Sequence, residues 1–377
     1  MMIQNNQLLR EMIKDMSEVE EKYNTGSYFR FYVKKIVKEI EKSDLNEFRN
    51  WHSGPGGIAS HGGGSTEYNY HHGWHFHPLD KDFEKIDNNL IIRGFNRLIN
   101  RLTKHFKLIK FLSIRSPIIR KYYEILIKNL QISYFDNVSL SDKNHILKRV
   151  EESKIGNPIG FKKNGRFYTR NFLNEISQIF FVEDRIKYRD IDSIIEVGAG
   201  VGLKTHISLI VNPKLKYYLI ETPPALYIAQ KYLVANDHRV LTYEEIKSRN
   251  IKNIEDININ DYDVVCLAPW MMDILKNTKF DMLVNEHSFT KLEPEIIKNY
   301  LNILLPKIKK AVYLISSHDK SSFIQNKAYN HAGFYGLSCK DYKNILSPSF
   351  YLAKERPEFW MGQLVDGQCQ LIFKKKT

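Results

Sequence analysis

From about Asp192 onward the chain is divided into short runs rich in β-branched and aromatic residues, separated by stretches with helical spacing. This alternation restricts its fold more than any other feature. The runs are SIIEV (193–197), KYYLIE (216–221), RVLTY (239–243), YDVVCLA (262–268), FDMLVNE (280–286), AVYLISS (311–317), FYLAK (350–354) and QCQLIFK (368–374). Helices are expected between several of them, notably over Ala225–Ala235 and Pro294–Leu305. A helix after a strand lets the next strand run parallel to the last, and it covers one face of the sheet. No convincing helix separates the last two runs, so they are expected to close the sheet as an antiparallel hairpin. The expected fold class is therefore α/β. Ahead of it, residues 1–150 read as a mainly helical region. Leu8–Val19, Tyr28–Ile40 and 80–150 carry helix formers with apolar residues three and four apart, interrupted by a Gly/His-rich loop at 52–77.

A chain of 377 residues that is 43% hydrophobic can bury a sizeable core and is too apolar for disorder. No apolar run approaches the roughly 18–20 residues that span a bilayer. The charged mixture in Met1–Met16 is unlike a secretory signal. Cys266, Cys339 and Cys369 are odd in number and far apart, so neither a disulfide framework nor a zinc knuckle is expected, and a reducing cytoplasmic location is. The net charge of +13 is unevenly spread: between Arg93 and Lys128 ten Lys and Arg residues stand against Glu124 alone. Arg93, Arg97, Arg101 and Lys104 recur at helical spacing. Such a face suits nucleic acid, a peripheral contact with an anionic membrane, or an anionic sugar, and a solvated helix reads the same way.

The chemistry is concentrated in Ile194–Gly202, IIEVGAGVG. A hydrophobic strand carrying Glu196 runs into Gly198, Gly200 and Gly202, after which Leu203–Val211 can begin a helix. Residues without Cβ let the backbone adopt positive φ and approach a ligand closely. Nineteen residues after Gly202 the next strand ends in Glu221, placed to accept hydrogen bonds from a ribose 2′,3′-diol. Thr222 is the expected N-cap of the following helix, with Pro223-Pro224 in its first turn. The dinucleotide fingerprint G-x-G-x-x-G needs a glycine where Leu203 stands. Glycines at every second position after an acid instead match the first motif of S-adenosyl-L-methionine (SAM) methyltransferases. SAM has no phosphate, so its loop need not present a pyrophosphate site.

Further segments narrow this. IGNPIGFKKNGRFYTRNFL (155–173), YYLIETPPALYIAQKYL (217–233) and LVNEHSF (283–289) together resemble the sugar O-methyltransferase family of bacterial surface-polysaccharide loci. The resemblance covers about residues 150–320 and is poor over the N-terminal third. It departs from the family after LVNEHSF, where Lys291-Leu292 replace a Glu-Met pair. It implies a Rossmann-like class I methyltransferase sheet of seven strands with a final antiparallel hairpin over 151–377, SAM as cofactor, and a sugar hydroxyl as acceptor.

Methyl transfer to oxygen is an in-line displacement at a donor already activated, so the protein aligns the reactants and removes the acceptor proton. The base is expected after the strand that ends at Asn285-Glu286-His287-Ser288. His287 is preferred because imidazole titrates near neutrality; Glu286 comes second, and His318, following AVYLISS, is a third candidate. Cofactor contacts are expected from Glu196, Gly198, Gly200, Gly202, Glu221 and Asn285, and adenine contacts from Tyr243-Glu244 or Pro269-Trp270. Tyr168 and Arg170 are candidate substrate contacts. So is Trp74, with Tyr68, Tyr70 and Phe76, if loop 52–77 is a lid. His71, His72, His75 and His77 lack a carboxylate or cysteine at ligand spacing, so no metal is expected. The expected partner is a small-molecule or glycan substrate, anionic in character, and not nucleic acid. The rival readings are an RNA methyltransferase, suggested by charge but lacking an Asn/Asp-Pro-Pro-Tyr segment and an RNA-binding module, and a non-catalytic nucleotide-binding protein.

Overall fold

A computed structural model of the chain describes residues 2–20, 23, 33–34, 36–38, 40–42, 45–49, 131–132, 134–158, 160–317, 336–360 and 363–376, without the side chains of 358–367. All but 131–132 of these belong to the first of two units into which the chain divides, 1–65 with 134–377 and 66–133.

In chain order the described elements begin with α1 (Asn6–Ser17), β1 (Phe161–Lys163), β2 (Arg166–Tyr168) and α2 (Arg170–Glu183). The alternating region follows as β3 (Ser193–Val197), α3 (Leu203–Val211), β4 (Lys216–Ile220), α4 (Pro223–Ala235), β5 (Val240–Leu241), α5 (Tyr243–Ser248) and β6 (Val264–Leu267). Then come β7 (Phe280–Glu286), α6 (Pro294–Leu304), β8 (Ile308–Ser317), α7 (Cys339–Leu346), β9 (Phe350–Trp360) and β10 (Gln363–Lys375). Local chemistry sets several starts. Pro223 and Pro294 open α4 and α6, where a missing N–H costs nothing. Thr169 caps α2 at the Phe172 amide, and Ser338 with Asp341 forms a capping box on α7.

The main sheet has eight strands in the order β5-β6-β4-β3-β7-β8-β10-β9. Neighbours from β5 to β8 are parallel, and β10 runs antiparallel to both β8 and β9. The mainly parallel sheet and its closing hairpin are as expected; the seven strands become eight. RVLTY contributes only the two-residue edge strand β5, while YDVVCLA supplies β6, inserted between β5 and β4. One face of the sheet, with Ile195, Val197, Ile220, Val265, Leu267 and Leu283, packs in one core with Ile297, Tyr300, Leu301 and Leu304 of α6 and Tyr342 of α7. Alternate residues such as Ile194, Tyr217, Leu219, Val264, Met282 and Val284 point to the other face and are equally buried, as period-two geometry requires.

The N-terminal helix packs against α4, burying Leu8, Leu9, Met12 and Met16. The Tyr227 hydroxyl accepts from the Asn5 amide at 2.7 Å, Lys231 donates to the Ile3 carbonyl at 2.6 Å, and Asp15 accepts from Tyr243 and Lys247. The GNP segment docks on residues 45–49. Arg49 forms a buried two-pronged pair with Glu152 at 2.6 and 2.9 Å, its amide donates to Gly156, and Asn157 donates to Glu47. Contrary to the expectation of unpaired cysteines, Cys339 and Cys369 are joined by a disulfide, because α7 lies over β10; Cys266 is buried and free. Among the described residues no helix is long and apolar enough to cross a membrane.

Candidate active site

After β3 the chain builds the sheet to one side through β4, β5 and β6, then returns to lay β7 on the other side of β3. Ligands of open α/β sheets bind in the crevice outside the carboxyl ends of the strands at such a reversal. Here those ends are Val197 and Glu286, followed by the glycine turn and by His287.

Three glycines solve different problems. Gly198 has φ +80°, and a Cβ there would lie 2.1 Å from Ser288 Cβ. Ser288 comes this close because its hydroxyl donates to the Val197 carbonyl at 3.0 Å, where the Asn285 amide also donates at 2.7 Å. Asn285, 1% exposed, thus stitches β7 to β3. Gly200, at φ +58°, has no atom within 4 Å of where its Cβ would be, so its backbone borders open space. Gly202 enters α3 against Leu233 and Ala229.

Glu221 follows β4, its amide donating to Leu267 of β6. One carboxylate oxygen accepts from the Gly200 amide at 2.7 Å; the other accepts from the Thr222 amide at 2.6 Å and hydroxyl at 2.9 Å. Thr222 precedes α4 as expected, but its hydroxyl serves Glu221 instead of capping the helix. Burial pushes the Glu221 carboxyl upward, against the Thr222 and Gly200 hydrogen bonds and the nearby charge of Lys291.

Beneath the turn lies a buried ionic cluster that the sequence reading did not include. Lys204, in the first turn of α3, reaches Glu175 Oε2 at 2.9 Å, Glu286 Oε1 at 2.6 Å and Gln178 Oε1 at 2.8 Å. Glu196, 2% exposed, accepts from the Tyr217 hydroxyl at 2.8 Å. Burial pushes both the Glu196 and Glu286 carboxyls up, Glu196 to about 7, while Lys204 pulls them down and neighbouring carboxylates push them further up. The cluster sets a pH dependence. Between about 4.5 and about 7 the native state holds a proton that an unfolded glutamate releases, so stability falls as pH rises through that window. Glu196→Gln, whose amide oxygen can still accept from Tyr217, is expected to flatten this slope between pH 5 and pH 7.5 in urea unfolding; an unchanged slope refutes the account.

His287 follows β7 in the left-handed region at φ +61°, its amide donating to Ile315 at 3.3 Å. It does not titrate near neutrality as expected of an imidazole. Burial, then the charges of Lys291 and Lys204, lower it to about 3, so it is neutral at physiological pH. Glu286 points into the lysine cluster. Lys291 closes a short 3₁₀ turn, Phe289–Lys291, whose amide donates to Ser288. Burial lowers the Lys291 ammonium to about 8, with Glu221 opposing.

The other candidates separate. Trp270 follows β6 beside β4 and packs edge-on against the buried Tyr243, ring centres 6.4 Å apart, whereas Glu244 is exposed in the first turn of α5. Tyr168 is 1% exposed and packs among Phe135, Phe161 and Phe172, its hydroxyl donating to the Leu147 carbonyl at 2.7 Å. Arg170 opens α2, and burial lowers its guanidinium to about 10. Trp74 and the rest of loop 52–77, the basic stretch 93–128 and His318 lie outside the described residues. Among the described residues no three His, Cys, Asp or Glu side chains group as a metal site. The missed lysine had a visible signal: a cation in the first turn of an apolar helix opposes the helix dipole and needs a compensating reason.

No protein-family model and no curated protein sequence matches the chain. Similar solved structures include the pyocyanin biosynthetic protein PhzM, 13% identical, covering 55% of this chain and 57% of its own, at TM-score 0.35. Magnesium protoporphyrin IX methyltransferase (ChlM) from Synechocystis PCC 6803, with bound SAH, is 10% identical and covers 55% of this chain and 84% of its own, at TM-score 0.37. The mitomycin 7-O-methyltransferase MmcR is 12% identical and covers 64% of this chain and 67% of its own, at TM-score 0.35. The chain thus spans little more than half the length of PhzM.

Proposed function

We propose that the chain is a SAM-dependent O-methyltransferase whose acceptor is a sugar hydroxyl of a nucleotide-linked or surface-polysaccharide glycan. The observation that carries the cofactor reading is the Glu221 carboxylate held against the Gly200 amide at the sheet's reversal point, beside backbone bordering open space. A carboxylate there grips a ribose diol, and side-chain-free backbone leaves room for the nucleoside. When bound, the cofactor supplies an activated methyl group. Sugar as acceptor rests on the GNP and NEHSF segments.

In this reading His287 takes the acceptor proton. Its neutral form at pH 7 is the one able to accept. A base that weak suffices, because the hydroxyl oxygen becomes strongly acidic as its new bond to carbon forms, so transfer comes late. Asn285 and Ser288 hold the turn carrying His287 against β3. The sequence of 93–128, ten Lys and Arg against one Glu, carries the charge that suits an anionic acceptor.

Calorimetry with SAM tests the cofactor step. Wild-type protein is expected to bind, and Glu221→Ala to bind about 10–100-fold more weakly, the loss of hydrogen bonds to a charged group. Undiminished binding by that variant refutes the assignment of Glu221. A labelled-methyl screen over nucleotide-sugars and glycans, with RNA as the competing acceptor, tests the substrate class.

A further inference from the structure

We propose that Lys204 is a positioning residue for this reaction: by tying the end of β7 to α2 and α3, it holds His287 in its left-handed conformation. The inference rests on the methyl-transfer reading for its purpose, though not for its geometry.

Lys204 has three donors and three acceptors in reach, Glu175 Oε2, Glu286 Oε1 and Gln178 Oε1, within 2.6–2.9 Å. Its side chain is 6% exposed, and those of Glu175 and Glu286 are 18% and 11% exposed. Such a tie is rigid, and the removal of one partner leaves the others as buried charges. Its place gives it meaning. A left-handed backbone at a residue other than glycine persists only where its surroundings over-determine it. His287 is fixed on both flanks: Glu286 before it is anchored by Lys204, and Ser288 after it is anchored to the Val197 carbonyl. The second flank belongs to the glycine turn, so only the first depends on this lysine.

The electrostatics agree. Facing Lys204 are Glu175 and Gln178 from α2, Glu196 from β3, Glu286 from β7 and the Tyr313 ring from β8, and facing His287 are Lys291 and Lys204. Removing the Lys204 charge relieves one of the two cations that, among the described residues, oppose protonation of His287.

Nuclear magnetic resonance of the full chain, labelled at histidine, tests this without an acceptor, with His287→Asn assigning the signals. In the wild type the His287 ring signals are expected to stay at their neutral positions from pH 8 to pH 4.5, with one backbone conformer. In Lys204→Met the midpoint is expected to rise by about one pH unit or more. The ring signals then move through about a quarter of their range by pH 4.5, and the His287 backbone signals split. Lys204→Arg is expected to restore the wild-type pattern. Should Lys204→Met not fold, Lys204→Gln, neutral but able to keep a polar contact, is expected to show the same changes. A folded neutral variant with unaltered His287 signals overturns the proposal. Calorimetry with SAM on the same wild-type sample separates the two readings: no binding removes methyl transfer but leaves the coupling of Lys204 to His287 measured.

Discussion

His287→Ala is expected to lower methyl-transfer turnover at least ~100-fold while leaving SAM affinity within a few-fold of wild type, since a general base acts in the transition state. His287 stands on the β7 side of the reversal, and Glu221 and Gly200 on the β4 side; the proposed base and the proposed cofactor grip therefore occupy separate elements. Because alanine is strained at φ +61°, His287→Asn serves as the companion: asparagine tolerates left-handed backbone, so loss of activity there reports the lost imidazole alone. Turnover is read with the acceptor found by the labelled-methyl screen and affinity by calorimetry. Wild-type turnover in both variants would pass the role to His318, because Glu286 is committed to Lys204.

Gly198→Ala is expected to cost about 2–5 kcal/mol of stability, the sum of a left-handed alanine and an overpacked contact. The added methyl meets Ser288 Cβ and Oγ at 2.1 Å. Two further variants divide the cost. Gly200→Ala, equally left-handed but open around its Cβ, is expected to lose only about 1–2 kcal/mol. Gly198→Ala combined with Ser288→Gly is expected to recover the steric part and keep the conformational part. Urea unfolding of the four proteins measures all of this. Equal losses at Gly198 and Gly200 would mean that the approach of β7 to β3 is not what demands glycine.

The sheet was largely legible because its signal is local. SIIEV and FDMLVNE are strands over their full expected spans, and Leu203–Val211 is the helix read from sequence. All eight runs became strands of the sheet, RVLTY over only two paired residues; the count of seven came from the family resemblance and not from the runs themselves. The glycine turn and Glu221 were legible because they need particular residue types at fixed spacing. Lys204 left a local sign, a cation in a helix's first turn, but its pairing with Glu175 did not, because a contact between helices more than twenty residues apart leaves no periodic trace. The reason for preferring His287 also failed: pKa depends on buried neighbours, here Lys291 and Lys204, and residue type alone does not carry it. Tyr168 and the GNP segment stood out by pattern, yet the structure uses them for packing and for docking residues 45–49.

The first helix carries a lesson about modularity. With Asp15 bridging to Tyr243 and Lys247, and Tyr227 capped by Asn5, the opening stretch works as cladding for the sheet's outer flank, not as a detachable cassette. An exchange of the N-terminal segment therefore has to preserve those first twenty residues.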